Sequence, residues 1–150
     1  MADQIWSIYL SGEIHSDWRE QIADGVKAAK LPVEFLSPIT DHDASDSVGE
    51  RILGPEADTF WHDNKAARIN AIRIRGLLDQ ADLVVVRFGD KYKQWNAAFE
   101  AGYAAAIGTP IITLHDGDLD HALKDIDAAA QAVAETPEQV VKILAYVTQD

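Results

Sequence analysis

Asp82-Leu83-Val84-Val85-Val86-Arg87-Phe88 is the strongest strand signal in the chain. Its apolar residues run without alternation, the pattern of a strand covered on both faces inside a parallel sheet. Before it, the spacing of Ala67, Ile69, Ile72, Ile74, Leu77 and Leu78 predicts a long helix over 61–80. After it, a helix is expected to begin near Asn96, a residue suited to an N-cap, and Pro110-Ile111-Ile112-Thr113-Leu114 reads as the next strand. Toward the N-terminus, Ile5 to Leu10 and Val33 to Ser37 read as strands, with a helical pattern through Ile22, Val26 and Ala29 between them. The last segment reads as a helix around Leu119 to Ala130, a weak strand near Ala132 to Ala134, and a helix opened by Thr136-Pro137-Glu138.

This alternation predicts an α/β fold: a single domain over 1–150 with an open, mainly parallel five-stranded sheet flanked by helices, Rossmann-like or flavodoxin-like. Ligands of such sheets bind outside the carboxyl ends of the strands, at a topological switch point. The loops Ser11 to Arg19 and Gly89 to Asn96 both fall at such ends. The polar stretch from Thr40 to about Thr59 lacks a firm periodicity and is expected to be a long loop, a candidate lid.

Trp95-Asn96-Ala97-Ala98-Phe99-Glu100-Ala101-Gly102-Tyr103-Ala104 places one carboxylate among small and apolar residues. On a helix, Asn96 and Ala97 lie a turn before Glu100, and Tyr103 and Ala104 a turn after; none is a cation, although surface glutamates often have one at this spacing. Two readings stay open on periodicity alone: a solvated glutamate on an Ala-rich helix, or a carboxylate drawn against the sheet, desolvated and raised in pKa.

The formal charge of −12, from 13 basic and 25 acidic residues, opposes binding to a nucleic-acid polymer. A small anionic metabolite is compatible with it, because a few cations can be focused in one cleft. No run approaches a membrane span, no signal-peptide pattern opens the chain, and the expected location is the cytoplasm. With no cysteine in the sequence, disulfides, thiol nucleophiles and cysteine metal sites are excluded.

Taken together, Ile8-Tyr9-Leu10-Ser11-Gly12, Gln80-Ala81-Asp82-Leu83-Val84-Val85 and Phe99-Glu100-Ala101-Gly102-Tyr103-Ala104 with Gly108-Thr109-Pro110 resemble the nucleoside 2-deoxyribosyltransferases, and the whole chain resembles the YtoQ branch of that superfamily. The resemblance implies that Glu100 is the catalytic nucleophile, attacking the anomeric carbon of a deoxyribosyl group and expelling the base through a glycosyl-enzyme ester. It implies that Tyr9 and Gly12 line the sugar and base pocket, and that the protein is a homodimer or higher homo-oligomer.

The chain departs from the family pattern in places that matter. Acids expected shortly before the nucleophile and in the helix before the central strand fall on Gln94 and Ile74, and the proline that often follows the first glycine is Glu13. Substrate positioning and leaving-group protonation therefore do not carry over. Arg73, Arg75, Arg87, Lys91 and Lys93 in the pocket region suggest an anionic ligand; solvated surface charges are the competing reading.

His15, just past Gly12, is placed to contact sugar or donate a proton, or else to cap the next helix. Arg19 opens the first helix, whose positive end favours an anion. The expected substrate-binding set is Tyr9, Gly12, His15, Arg19, Arg73, Asn96 and Tyr103, with Trp61, Tyr92, Trp95 and Tyr103 as a possible aromatic rim. Asp41-His42-Asp43 with Asp46, and His62-Asp63, lack a ligand motif, so neither a metal nor another cofactor is expected. The expected activity is transfer or hydrolysis at the N-glycosidic bond of a nucleoside- or nucleotide-like molecule. The alternative is a non-catalytic module of the same fold that binds a nucleotide or sugar phosphate.

Overall fold

The structure, a computed structural model, describes residues 4–149. Five parallel strands form one sheet: β1 (Trp6–Gly12), β2 (Val33–Leu36), β3 (Leu83–Arg87), β4 (Ile111–Leu114) and β5 (Ala132–Ala134), in the spatial order β2-β1-β3-β4-β5. The switch point lies between β1 and β3, where Tyr9 pairs with Val84 and Gly12 with Arg87. Asp82 pins the start of this pair, since its carboxylate accepts from the Ser7 N–H at 2.8 Å and its own N–H donates to the Ser7 carbonyl at 2.8 Å.

The unbroken apolar run of β3 serves two cores. Leu83 and Val85 join Ile8, Leu10, Ile112 and Leu114 against helices α1 (Trp18–Ala28) and α7 (Pro137–Val147). Val84, Val86 and Phe88 join Tyr9 and Ile111 on the opposite face. That face is covered by α4 (Thr59–Gln80), α5 (Trp95–Ala106) and α6 (Lys124–Ala129). Val84, Val85 and Val86 are each fully enclosed, and each contributes roughly 1.5–3 kcal/mol of hydrophobic free energy. A single strand thus ties both layers together.

Local chemistry sets the helix ends. Thr136 and Gln139 form a reciprocal capping box at α7, with Pro137 in its first turn, as its sequence predicts. Asp58 accepts from the Phe60 N–H at 2.8 Å and caps α4, which starts at Thr59. The helix expected near Asn96 begins one residue earlier: Gln94 occupies the cap position and Asn96 lies inside the first turn. The expected loop from Thr40 to Thr59 contains two short helices, α2 (His42–Asp46) and α3 (Val48–Leu53), packed on α4. Helices this short carry too few apolar positions to register as periodicity, and Asp41, which caps α2, was the local signal for the first. The helix expected over 119–130 is divided into a 3-10 turn, Gly117–Leu119, and α6.

At the end of β4, His115 is enclosed beneath α6. Its Nδ1 lies 2.8 Å from the Asp116 carbonyl, which can only accept, so Nδ1 carries a proton. Nε2 lies 2.8 Å from Asp127 Oδ2, while the Thr113 hydroxyl donates to Asp127 Oδ1 at 2.7 Å. Asp127→Ala strands both partners in a low-dielectric site and is expected to cost about 3 kcal/mol, read by urea denaturation. A loss below about 1 kcal/mol would show that the pair contributes little to stability.

Candidate active site

Glu100 sits in the buried stripe of α5, together with Ala97, Ala101 and Ala104, at helical spacing that turns it onto the sheet. The small neighbours let the helix approach closely. Glu100 is 3% exposed, and its carboxylate meets two side chains from one face of β1: the Tyr9 hydroxyl donates to Oε1 at 2.8 Å and the Ser11 hydroxyl to Oε2 at 2.6 Å. Tyr9 and Ser11 are themselves fully enclosed and, being two residues apart on a strand, point the same way.

Burial raises the Glu100 pKa above the ordinary carboxylate value; the Ser11 and Tyr9 hydrogen bonds, and then the charge of Arg19, pull in the other direction. Tyr9 is raised far more, first by burial and then by the charge and hydrogen bond of Glu100, so it remains a donor throughout the physiological range. The result is a desolvated carboxylate held in a fixed orientation by two neutral hydroxyls, with no ion pair at Glu100 among the described residues.

Two loops lie at the carboxyl ends of β1 and β3. Gly12 adopts φ +116°, and a Cβ there would come within 2.1 Å of the Arg87 carbonyl oxygen, so glycine is required by the close approach of β1 and β3. The resemblance assigned this glycine to ligand approach; the geometry supplies a reason internal to the chain. Glu13 turns back, and its carbonyl accepts from Trp18 Nε1 at 2.7 Å and Arg19 Nη1 at 2.7 Å. Its buried carboxylate accepts from the His15 N–H and, at 2.6 Å, from the Ser16 hydroxyl. The second loop comes against the first at Gly89, whose missing Cβ would lie 2.7 Å from the Glu13 side chain. Gln94 braces that loop by accepting from the Gly89 N–H at 3.0 Å.

Of the expected substrate-binding residues, Tyr9 reaches Glu100 directly. Gly12 ends β1 and His15 follows in the loop after it, where the His15 ring rests on Tyr92 with centroids 4.8 Å apart. Arg19 spends its Nη groups on the carbonyls of Leu10, Gly12 and Glu13, holding the end of β1, while its charge is felt by Glu100. Arg73 donates to the Ser37 carbonyl at 3.0 Å, and Asn96 is exposed on α5. Tyr103 donates to Asp79 at 2.8 Å, toward the end of α4 that leads into β3, so its hydroxyl is engaged away from Glu100. Trp61, Tyr92 and Trp95 are exposed.

Ser11, part of the Ile8 to Gly12 motif, is the Glu100 partner that sequence reasoning missed. The signal was the strand alternation that pairs it with Tyr9. In the two histidine and carboxylate constellations, His42 pairs with Asp46 at 3.1 Å within α2, and His62 pairs with Glu50 at 2.8 Å, joining α3 to α4. His115, Asp120 and Asp127 offer atoms within 4.8 Å of one another, but both ring nitrogens of His115 are already engaged by chain oxygens.

The five-stranded parallel sheet in the order β2-β1-β3-β4-β5 places the protein in the flavodoxin-like class of doubly wound α/β folds. The fold is shared with a conserved protein from Enterococcus faecalis V583 (TM-score 0.59, 17% identity, 96% of this chain and 99% of that one). It is shared also with the 2-deoxyribosyltransferase of the psychrotolerant bacterium Bacillus psychrosaccharolyticus (TM-score 0.50, 19% identity, 90% of each chain). Within that class the chain belongs to the family described as nucleoside 2-deoxyribosyltransferase YtoQ, which it matches over residues 9–148. The uncharacterized protein YtoQ of Bacillus subtilis (strain 168) is 45% identical over 139 residues, covering 93% of this chain and 94% of that relative. Among the described residues no helix is long and apolar enough to cross a membrane.

Proposed function

We propose that the protein cleaves the N-glycosidic bond of a nucleoside- or nucleotide-like small molecule, with Glu100 as nucleophile. One observation carries this reading: a desolvated carboxylate held by Tyr9 and Ser11 at the β1/β3 switch point of a fold whose family name is that of nucleoside glycosyl transfer. In the first step a Glu100 oxygen bonds to the anomeric carbon as the carbon–nitrogen bond breaks, and the base leaves with the bonding electrons and takes up a proton. In the second, water or another base attacks the same carbon and the ester carbon–oxygen bond breaks, regenerating the carboxylate. The Tyr9 and Ser11 hydroxyls orient the attacking carboxylate and stabilise its charge before attack and again as the ester bond breaks.

The test is chromatographic detection of free base after incubation with ribo- and deoxyribonucleosides and their monophosphates, together with mass spectrometry for a glycosyl adduct on the Glu100 peptide. Base release with the adduct supports the reading. Ligand-induced stabilisation without base release would replace it with a non-catalytic binding module.

The Ser11 hydrogen bond lowers the Glu100 pKa, and the carboxylate must be ionised to attack. Ser11→Ala is therefore expected to move the acid limb of the pH–rate profile to higher pH. An unmoved limb would mean that the bond does not govern Glu100 ionisation.

A further inference from the structure

Arginine is charged at every physiological pH, and its five N–H donors are costly to enclose without acceptors. Arg87 ends β3 directly beside Gly12 of β1, and strand alternation sends its side chain to the same face as Leu83 and Val85, toward α1. Its Nε and Nη1 are buried, and among the described residues they meet no acceptor; the same holds for Arg19 Nε. In a chain with 25 acidic against 13 basic residues, a carboxylate partner was abundantly available, and among the described residues none forms an ion pair with Arg87. Arg19, by contrast, has its Nη groups on three backbone carbonyls. Arg87 has been left with its charge uncommitted at the switch point of the sheet.

We propose that the Arg87 guanidinium binds the phosphate of a nucleoside monophosphate whose glycosidic bond is presented to Glu100. This rests on the functional reading above and names its substrate class. The planar fork of an arginine matches two phosphate oxygens, which a neutral nucleoside cannot supply. Arg87 and Glu100 lie on opposite faces of the sheet at the carboxyl end of the β1/β3 pair, and a monophosphate carries its anionic group and its anomeric carbon at separate ends of one sugar. The neighbouring acid, Glu13, does not compete for the fork: its carboxylate is held by the His15 N–H and the Ser16 hydroxyl. Of the other cations expected in this region, Arg73 donates to the Ser37 carbonyl at 3.0 Å, and its charge is felt on the opposite face of the sheet, at Tyr9.

The experiment is calorimetric titration of the full chain with deoxyribonucleoside 5′-monophosphates, the matching nucleosides and inorganic phosphate. It is run in the Glu100→Gln background so that binding is read without turnover. Monophosphates are expected to bind about tenfold or more tighter than nucleosides, the scale of a charge-assisted hydrogen bond, and Arg87→Gln is expected to erase that preference. Equal affinity for nucleoside and monophosphate overturns the proposal, as does a preference that survives Arg87→Gln. If inorganic phosphate binds with an affinity that Arg87→Gln leaves unchanged, the anion site is elsewhere and the proposal also falls. Should Arg87→Gln fail to fold, Arg87→Lys makes the same comparison: a point charge without the fork is expected to lose most of the preference, and full retention would count against the assignment. Because the readout is affinity, it can succeed where base release fails, and the reverse.

Discussion

Replacing Glu100 by glutamine is expected to reduce base release by more than about a thousandfold while leaving the protein folded, since loss of a nucleophile removes the covalent route and only binding and orientation remain. Glutamine keeps the shape and can still accept from Tyr9 or Ser11, but it cannot form the ester. The stability effect has the opposite sign. Burial raises the Glu100 pKa, so the group favours folding below the ordinary carboxylate pKa, and that contribution is lost as pH rises through the raised value. At neutral pH the wild type therefore carries the cost of enclosing an anion, and Glu100→Gln is expected to melt higher than wild type, with the gap narrowing in acid. Differential scanning calorimetry at neutral and acidic pH reads this directly. A variant that is inactive and also less stable at neutral pH would assign Glu100 a structural task instead, as the partner that satisfies two buried hydroxyls.

The second large effect is expected at Gly12. Alanine there must adopt φ near +116° and place its Cβ about where the Arg87 carbonyl stands. Backbone strain of this kind costs roughly 1–3 kcal/mol before any overlap is counted, so Gly12→Ala is expected to lose about 3 kcal/mol or more. For a chain of this length that corresponds to a fall in melting temperature of roughly 10 °C. A Tm within about 2 °C of wild type would show that β1 and β3 can separate at this end without penalty. Because Glu13 and Arg19 hang from the same turn, the variant should lose ligand affinity together with stability.

The sheet was legible from the chain because its signals are local and redundant. The β3 run, the Ala-rich α5 and the capped α7 each declare their structure within a few residues, and their alternation leaves few topologies. The short helices α2 and α3 were not legible, since their stability comes from packing against α4 and not from their own periodicity. At the site, Glu100 and Tyr9 could be named from motif and spacing. Their contact joins residues 91 positions apart in sequence, and no local pattern encodes it. Arg73 and Tyr103 were named from charge and helical spacing, which do not encode their bonds to the Ser37 carbonyl and to Asp79; the Arg73 charge nonetheless reaches Tyr9. The uncommitted state of Arg87 is a property of what surrounds it, which composition cannot report.

Trp18 is 2% exposed, donates its indole N–H to the Glu13 carbonyl, and stacks under the Arg19 guanidinium at 4.5 Å, whereas Trp61 and Trp95 face solvent. The turn at Glu13 is thereby wired to an enclosed indole. With the half-buried Trp6 replaced by Phe, its emission is expected to lie blue of the solvated tryptophans, an optical gauge built into the chain: movement of Glu13 or Arg19 changes the field at that ring, and the colour of the light would report it without a label.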